Sequence, residues 1–260
     1  MTKHVVHFSG GVASWAAARR VADRFGTADL ILLFADTLAE DQDLYRFLDE
    51  GSANIGVPVT RLCDGRTPRQ VFKDERFLGN SLIAPCSKLL KQKVLDGWHA
   101  SHLSPDQCVI YLGMDWTEGD RHERAAARLA PYQVVSPLAQ WKPYISKASA
   151  KAMCIEAGLR LPQLYEWAHN NNCGGLCVRG GQAHWVAALA NIPERFAQME
   201  SFEEEMRAWL GDVSILRDRR QGHEGESLPL SELRSRIEGG RAGQLDLMDW
   251  GACGCDPQLP

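Results

Sequence analysis

Short apolar runs alternate with amphipathic stretches along the first 140 residues. Val5–Phe8 is an apolar run that ends in Ser9-Gly10-Gly11. Ala13–Phe25 follows with helical composition, and Trp15, Ala18, Val21 and Phe25 are spaced for one face. Leu30–Ala35 is wholly apolar between Asp29 and Asp36 and reads as a strand; Leu44 and Leu48 predict a helix behind it. Val57–Leu62, Val109–Leu112 and Tyr132–Val135 read as further strands. Wholly apolar strands separated by amphipathic helices predict an α/β fold, a doubly wound and mainly parallel sheet with helices on both faces. Ligands on such sheets sit beyond the carboxyl ends of the strands.

The pattern changes after about residue 165. Asn170 to Gly181 is rich in glycine and asparagine and reads as loop, whereas Trp185–Leu189 and Pro193–Leu210 read as helices, with Pro193 suited to a first turn. Glu203–Glu205 reads as a solvated helix face, and Gly222–Glu226 as a polar linker. The expected organisation is a nucleotide-binding α/β domain over 1–165 and a small helical, cysteine-rich extension over 166–260.

Composition adds limits. The chain has 260 residues, 45% of them hydrophobic, and 29 Lys+Arg against 33 Asp+Glu give a net charge of −4. These proportions exclude wholesale disorder. No apolar run is long enough to span a bilayer and no secretory segment is visible, so a cytoplasmic protein without membrane contact is expected. Mild acidity argues against a general nucleic-acid coat, yet residues 60–100 hold eight Lys+Arg against four Asp+Glu. Eight cysteines are more than such a core requires, and in a cytoplasmic chain clustered cysteines point to metal or catalysis.

Ser9-Gly10-Gly11-Val12-Ala13-Ser14 is the sharpest local signal. Two glycines let the backbone approach an oxyanion, and the helix start supplies N–H donors. The Walker pattern and the dinucleotide fingerprint are both absent at this turn. Phe34-Ala35-Asp36-Thr37, with Tyr45 and Phe47, follows at the second strand. Gly113-Met-Asp-Trp-Thr-Glu118-Gly-Asp-Arg121-His-Glu-Arg124 has a Gly-x-x-x-x-Glu-x-x-Arg spacing, and Arg121 and Arg124 could clamp phosphate. Pro137-Leu138-Ala-Gln-Trp141 and Leu161-Pro162-Gln-Leu164-Tyr165 come next. In this order, across residues 4–177, these motifs resemble the PP-loop ATP pyrophosphatase superfamily, and within it the phosphoadenosine phosphosulfate (PAPS) reductase-like, adenine nucleotide alpha hydrolase-like branch.

The resemblance implies an adenine nucleotide, ATP with Mg2+, held by Ser9 to Ser14, by Asp36 and Thr37, and by Gly113 and Arg121. Ser14, Glu118 and Arg124 would take catalytic roles. Many relatives carry a carboxylate where this loop has Val12-Ala13. The reductases' C-terminal Glu-Cys-Gly-x-His segment is also absent, and the tail reads Ala252-Cys253-Gly254-Cys255-Asp256.

The cysteines divide. Cys63, Cys108 and Cys154 stand in apolar contexts and read as buried, inert thiols. Cys173-Gly-Gly-Leu-Cys177 and Cys253-Gly-Cys255 form two glycine-rich pairs that suit a four-thiolate zinc site, or an iron–sulfur centre. The family resemblance implies a second ligand set, Cys86, Cys173 and Cys177 around a [4Fe–4S] cluster. Cys86 also reads as a nucleophile activated by Lys88, and Lys88 and Lys91 would share one helix face. His184 reads as a core or surface histidine rather than a ligand.

The leading expectation is an enzyme that adenylates an acceptor with ATP and releases pyrophosphate for sulfur transfer. The acceptor would be a nucleobase in nucleic acid or a small metabolite. The alternatives are reduction of an adenylylated sulfate, and a non-catalytic nucleotide-binding module with a structural metal site. A homodimer is compatible with the sequence and not required by it.

Overall fold

The structure is a computed structural model that describes residues 2–251. In chain order the elements begin β1 (Lys3–His7), α1 (Val12–Phe25), β2 (Leu30–Asp36), α2 (Gln42–Ile55), β3 (Val59–Cys63) and α3 (Pro68–Asp74). A π-helical turn over Ser87–Gln92 leads into α4 (Lys93–His102). Then come β4 (Cys108–Tyr111), α5 (Gly119–Leu129), β5 (Gln133–Val135), α6 (Pro137–Gln140) and α7 (Lys147–Glu156). The last are α8 (Gln182–Asn191), α9 (Pro193–Leu210), β6 (Leu216–Arg217), β7 (Ser227–Leu228) and α10 (Leu230–Glu238). They form two compact units: residues up to 36, 40–64 and 92–163, and residues 37–39, 65–91 and the chain from 164 onward.

The first unit is built on a five-stranded sheet in the order β3-β2-β1-β4-β5. Every neighbouring pair is parallel, and Val5 of β1 stands beside Ile31 and Ile110. On one face Val5, Leu33 and Cys108 pack against Leu95 and Trp98 of α4, and Ile110 packs in a cluster with Leu129 of α5. On the other face His4 stacks on Phe25 of α1, with ring centroids 4.1 Å apart. Helices therefore cover both faces, as the wholly apolar strands require. Asp41 starts α2 by accepting the Asp43 amide at 2.9 Å, and Gly56 ends it with a φ of +85°.

The second unit holds α3 and α8 to α10 around Phe72, Trp185, Phe196, Phe202, Leu230 and Leu233. The polar stretch at 222–226 is the connection of the β6–β7 hairpin. Glu203 departs from the expected solvated face. It is fully buried in α9 and accepts the backbone amides of Ile215, at 2.7 Å, and Leu230. Leu230 opens α10 and has no partner earlier in its own helix, so a buried acceptor must meet its N–H. Burial pushes the Glu203 carboxyl up to about 7.

Cys108 and Cys154 are buried as expected, and burial pushes the Cys154 thiol up to about 12. Cys63 is exposed, contrary to expectation, because it ends the edge strand β3. Among the described residues no helix is long and apolar enough to cross a membrane.

Two histidines meet beneath the first unit's sheet. His7 Nε2 and His99 Nε2 are 3.0 Å apart, so one ring must donate and the other accept. Burial, with Arg128 nearby, lowers His7 to about 3 and His99 to about 4; only Asp96 opposes this at His99. The unfolded rings titrate near 6.5, so the unfolded chain binds more protons below that pH and stability falls as the pH drops toward the folded values. Each ring is expected to cost about 2 kcal/mol by pH 5. Denaturant titrations from pH 7.5 to 4.5 should show this loss in the wild type and a flatter dependence in His7→Leu/His99→Leu. Parallel curves would show that the pair is not the cause.

Candidate functional site

The sheet order reverses between β1 and β4, so the connections leaving these strands run to opposite faces and open a crevice at their carboxyl ends. Ser9 to Ser14 occupies the β1 side. Gly10 has a φ of +77°, and a Cβ there would stand 2.8 Å from the Leu44 side chain. The Ser14 hydroxyl donates to Gly11 O at 2.8 Å and accepts the Ser9 amide at 3.1 Å. It therefore closes the loop from within, while Ser9 stays exposed at the rim. No acidic side chain lies in the first turn of α1, so no local carboxylate offsets the positive helix end.

Gly113 leaves β4 directly against this loop. A Cβ at Gly113 would stand 2.6 Å from the Ser14 amide nitrogen and 2.7 Å from the Ala13 carbonyl carbon. The next turn is held by Asp115, which no motif singled out. Its buried carboxylate accepts the Thr117 amide at 2.9 Å and the Lys147 amide at 3.2 Å. Glu118 returns a bond to the Asp115 amide at 3.1 Å and pairs with Arg121. Glu118 and Arg121 thus hold each other at the start of α5, while Arg124 lies exposed further along it. Asp36 ends β2 and accepts the Tyr45 hydroxyl at 2.8 Å; burial and this carboxylate push the Tyr45 phenol up.

The second unit gathers thiols. Cys173, Gly174 and Gly175 have φ values of +47°, +56° and +83°, three left-handed residues in succession. The turn is closed by the Gly175 amide on Asn172 O and the Leu176 amide on Cys173 O, each at 3.0 Å. His184 is a buried core histidine, and its Nε2 lies 2.9 Å from Gly175 O, which it meets as donor. A left-handed non-glycine residue costs about 1–3 kcal/mol and persists where its surroundings over-determine it.

Cys86, Cys173 and Cys177 all line one cavity of about 280 Å³, together with Phe72, Met199 and Arg195. A narrower recess is lined by the same three cysteines and by Ser87, Lys91 and Arg179. The sequence reading passed over Arg179 and Ser87; a cation two residues beyond the Cys173–Cys177 pair was the available signal. Among the described residues no three Cys, His, Asp or Glu side chains stand together closely enough to hold a metal ion. Cys253 and Cys255 lie outside the described residues.

The Lys88–Lys91 arrangement differs from expectation. Both lie in the π-helical turn, where the wider winding removes the three-residue coincidence of faces, so Lys88 is exposed and Lys91 half-buried. Burial, and Cys173 beside it, push the Cys86 thiol up to about 12, against a smaller pull from Lys91. The cation that acts on Cys86 is Lys91 rather than Lys88.

Neither a family model nor a curated protein matches the chain. Among solved structures the chain is similar to phosphoadenylyl-sulfate (PAPS) reductase from Candida auris, determined as a phosphate complex. The match covers 62% of this chain and 76% of that one, at 15% identity and a TM-score of 0.43. The α/β class of this protein stands on its own sheet order and register.

Two outcomes follow. Gly113→Ala forces Cβ into the Ser14 backbone and is expected to destabilise the chain by about 1–3 kcal/mol, read as a lowered thermal midpoint. An unchanged midpoint would contradict the close approach. Mass-mapped alkylation of the reduced, metal-free chain at pH 8 should modify exposed Cys63 at least about tenfold faster than buried Cys86. Equal rates would contradict the enclosed state of Cys86.

Proposed function

We propose that this protein binds ATP with Mg2+ over the Ser9–Ser14 loop and adenylates an acceptor oxygen, releasing pyrophosphate. The observation that carries the reading is the loop itself. It lies at the β1–β4 reversal, is closed by Ser14, abuts Gly113, and sits at a helix start without a carboxylate. Backbone donors and a helix end in that position favour negative charge on a polyphosphate. Asp36 and Thr37 would meet the ribose or the magnesium ion, and the Glu118–Arg121 pair would orient a guanidinium toward phosphate. The acceptor oxygen attacks the α-phosphorus, and the bond to the β-phosphate oxygen breaks. A sulfur nucleophile then displaces AMP from the activated acceptor, a nucleobase or a small metabolite.

The thiols of the second unit support sulfur as the incoming atom. Thiol donors suit zinc or an iron–sulfur centre by their chemistry, and three of them line one cavity, where a bound group would have to draw them closer than they stand here. Cys86, Cys173 and Cys177 would hold such a group, or Cys173 and Cys177 with Cys253 and Cys255. The second set draws support from Gly251, which bridges to Gly180 just beyond Cys177. The bound group would supply a coordination position for sulfur; the chain's own residues bury Cys86 and Cys177.

With ATP and Mg2+, the wild type is expected to release pyrophosphate and AMP when the acceptor is supplied. Ser14→Ala, which opens the loop, should lower that rate by about 100-fold or more. Equal pyrophosphate release from both proteins would contradict the role of the loop. Consumption of an adenylylated sulfate with sulfite release and no use of ATP would replace adenylation by reduction.

A further inference from the structure

The cavity of about 280 Å³ in the second unit has a one-sided charge. Every residue that lines it belongs to that unit. Arg69 and Arg195 line it, and no Asp or Glu does. Thr67 and Gln198 add neutral hydrogen-bonding groups. The rest of the wall is mostly apolar, with Phe72, Leu176 and Met199 among its larger side chains. A mostly apolar wall with a few convergent polar groups is the ordinary make-up of a small-molecule site.

The two cations are held differently. Arg69 lies in α3, with its guanidinium carbon 5.5 Å from the centre of the Phe202 ring. Lys73 lies over the same ring at 5.7 Å and pairs with Glu205, whereas among the described residues Arg69 meets no carboxylate. Burial lowers the pKa of Arg69, and no acidic group opposes that shift. Arg195 reaches from the first turn of α9 to the Cys173 turn, where a Cβ on Gly174 would fall on its Nη2. Gly174 therefore makes room for a guanidinium at the cavity as well as supplying a left-handed residue. Backbone strain points to the same place. Three described non-glycine residues have a positive φ, and two of them, Leu38 at +57° and Cys173 at +47°, line this cavity. Such residues cluster at ligand clamps and other functional sites.

We infer that this cavity binds a small organic carboxylate, its charged end held by Arg69 and Arg195 and its apolar body packed on Phe72, Leu176 and Met199. A guanidinium matches the two oxygens of a carboxylate. An inorganic anion would meet the arginines and leave the apolar wall uncovered; a neutral apolar molecule would leave both cations unmet. The site asks nothing of the Ser9–Ser14 loop or of a metal, so it stands or falls separately from adenylation.

The test labels the methionine methyl groups of the full chain and titrates it with phenylacetate and hexanoate, with their neutral amides phenylacetamide and hexanamide, and with inorganic phosphate. Both acids should bind saturably in the millimolar range or tighter and shift the Met199 methyl. Each amide should bind at least about 10-fold more weakly than its acid, because it lacks the charge-assisted hydrogen bonds. Phosphate should also bind at least about 10-fold more weakly, because it buries no apolar surface. Arg69→Gln should weaken binding of the acids roughly 10–100-fold, and Arg69→Lys by less, since the charge is kept and the planar fork is lost. Circular dichroism verifies that the variants fold. Amides or phosphate that bind as tightly as the acids overturn the assignment, as does an unchanged affinity in folded Arg69→Gln. Absence of saturable binding by either acid, or saturable shifts that leave Met199 unmoved, also overturns it. The comparison of acid with amide uses the wild type alone, so it decides should Arg69→Gln fail to fold.

Discussion

Gly113 has no side chain because there is no space for one. The connection leaving β4 passes so close to the first turn of α1 that a single Cβ would meet the Ser14 nitrogen at 2.6 Å. That close passage joins the two strands at which the sheet reverses, and each side shapes the other. The loop after β1 curves back through the Ser14 hydroxyl to Gly11 and Ser9. The turn after β4 is fixed by the buried Asp115 carboxylate and by Glu118, which reaches back to it. The helix end thereby presents backbone donors at one defined place in the crevice. Ser14 contributes by holding the backbone in shape, so its part in any phosphate chemistry is to position amide groups.

The second unit rests on different physics. A run of left-handed residues, braced by His184 at Gly175 O, sets Cys173 and Cys177 at a fixed spacing. Cys86 immediately precedes the π-helical turn, an irregularity frequent at functional sites. Burial, with Cys173 beside it, pushes the Cys86 thiol up, and two buried donors of Arg179 meet no hydrogen-bond partner.

The regular elements were legible because their signals are local. The wholly apolar run at 30–35 became β2, and Pro193–Leu210 became α9 with both of its expected ends. Glycines and serines around residue 10 marked the loop because backbone chemistry at a helix start needs those residue types. What stayed hidden depended on residues distant in sequence. Glu203 looks like its neighbours Glu204 and Glu205, but it meets amides 12 and 27 residues away. Cys63 ends an apolar run, and only strand order shows that β3 lies at the sheet edge. Lys88 and Lys91 have helical spacing, and nothing local in their sequence signals a π-helical turn. Arg179 reads as one more polar loop residue until its burial is known. Cys173 and Cys177 were legible as a pair, and Cys86 was connected with them through family resemblance alone. Their common cavity emerges only from the fold.

The central claim is that Ser9–Ser14 and Gly113 form one anion cradle. The most direct measurement follows backbone amide chemical shifts in isotope-labelled protein as pyrophosphate, and then ATP with Mg2+, is added. The account predicts saturable shifts centred on Gly10, Gly11, Ala13, Ser14 and Gly113, with ATP extending them to Asp36 and Thr37. Saturable shifts confined to other parts of the chain, or none at millimolar nucleotide, would contradict it.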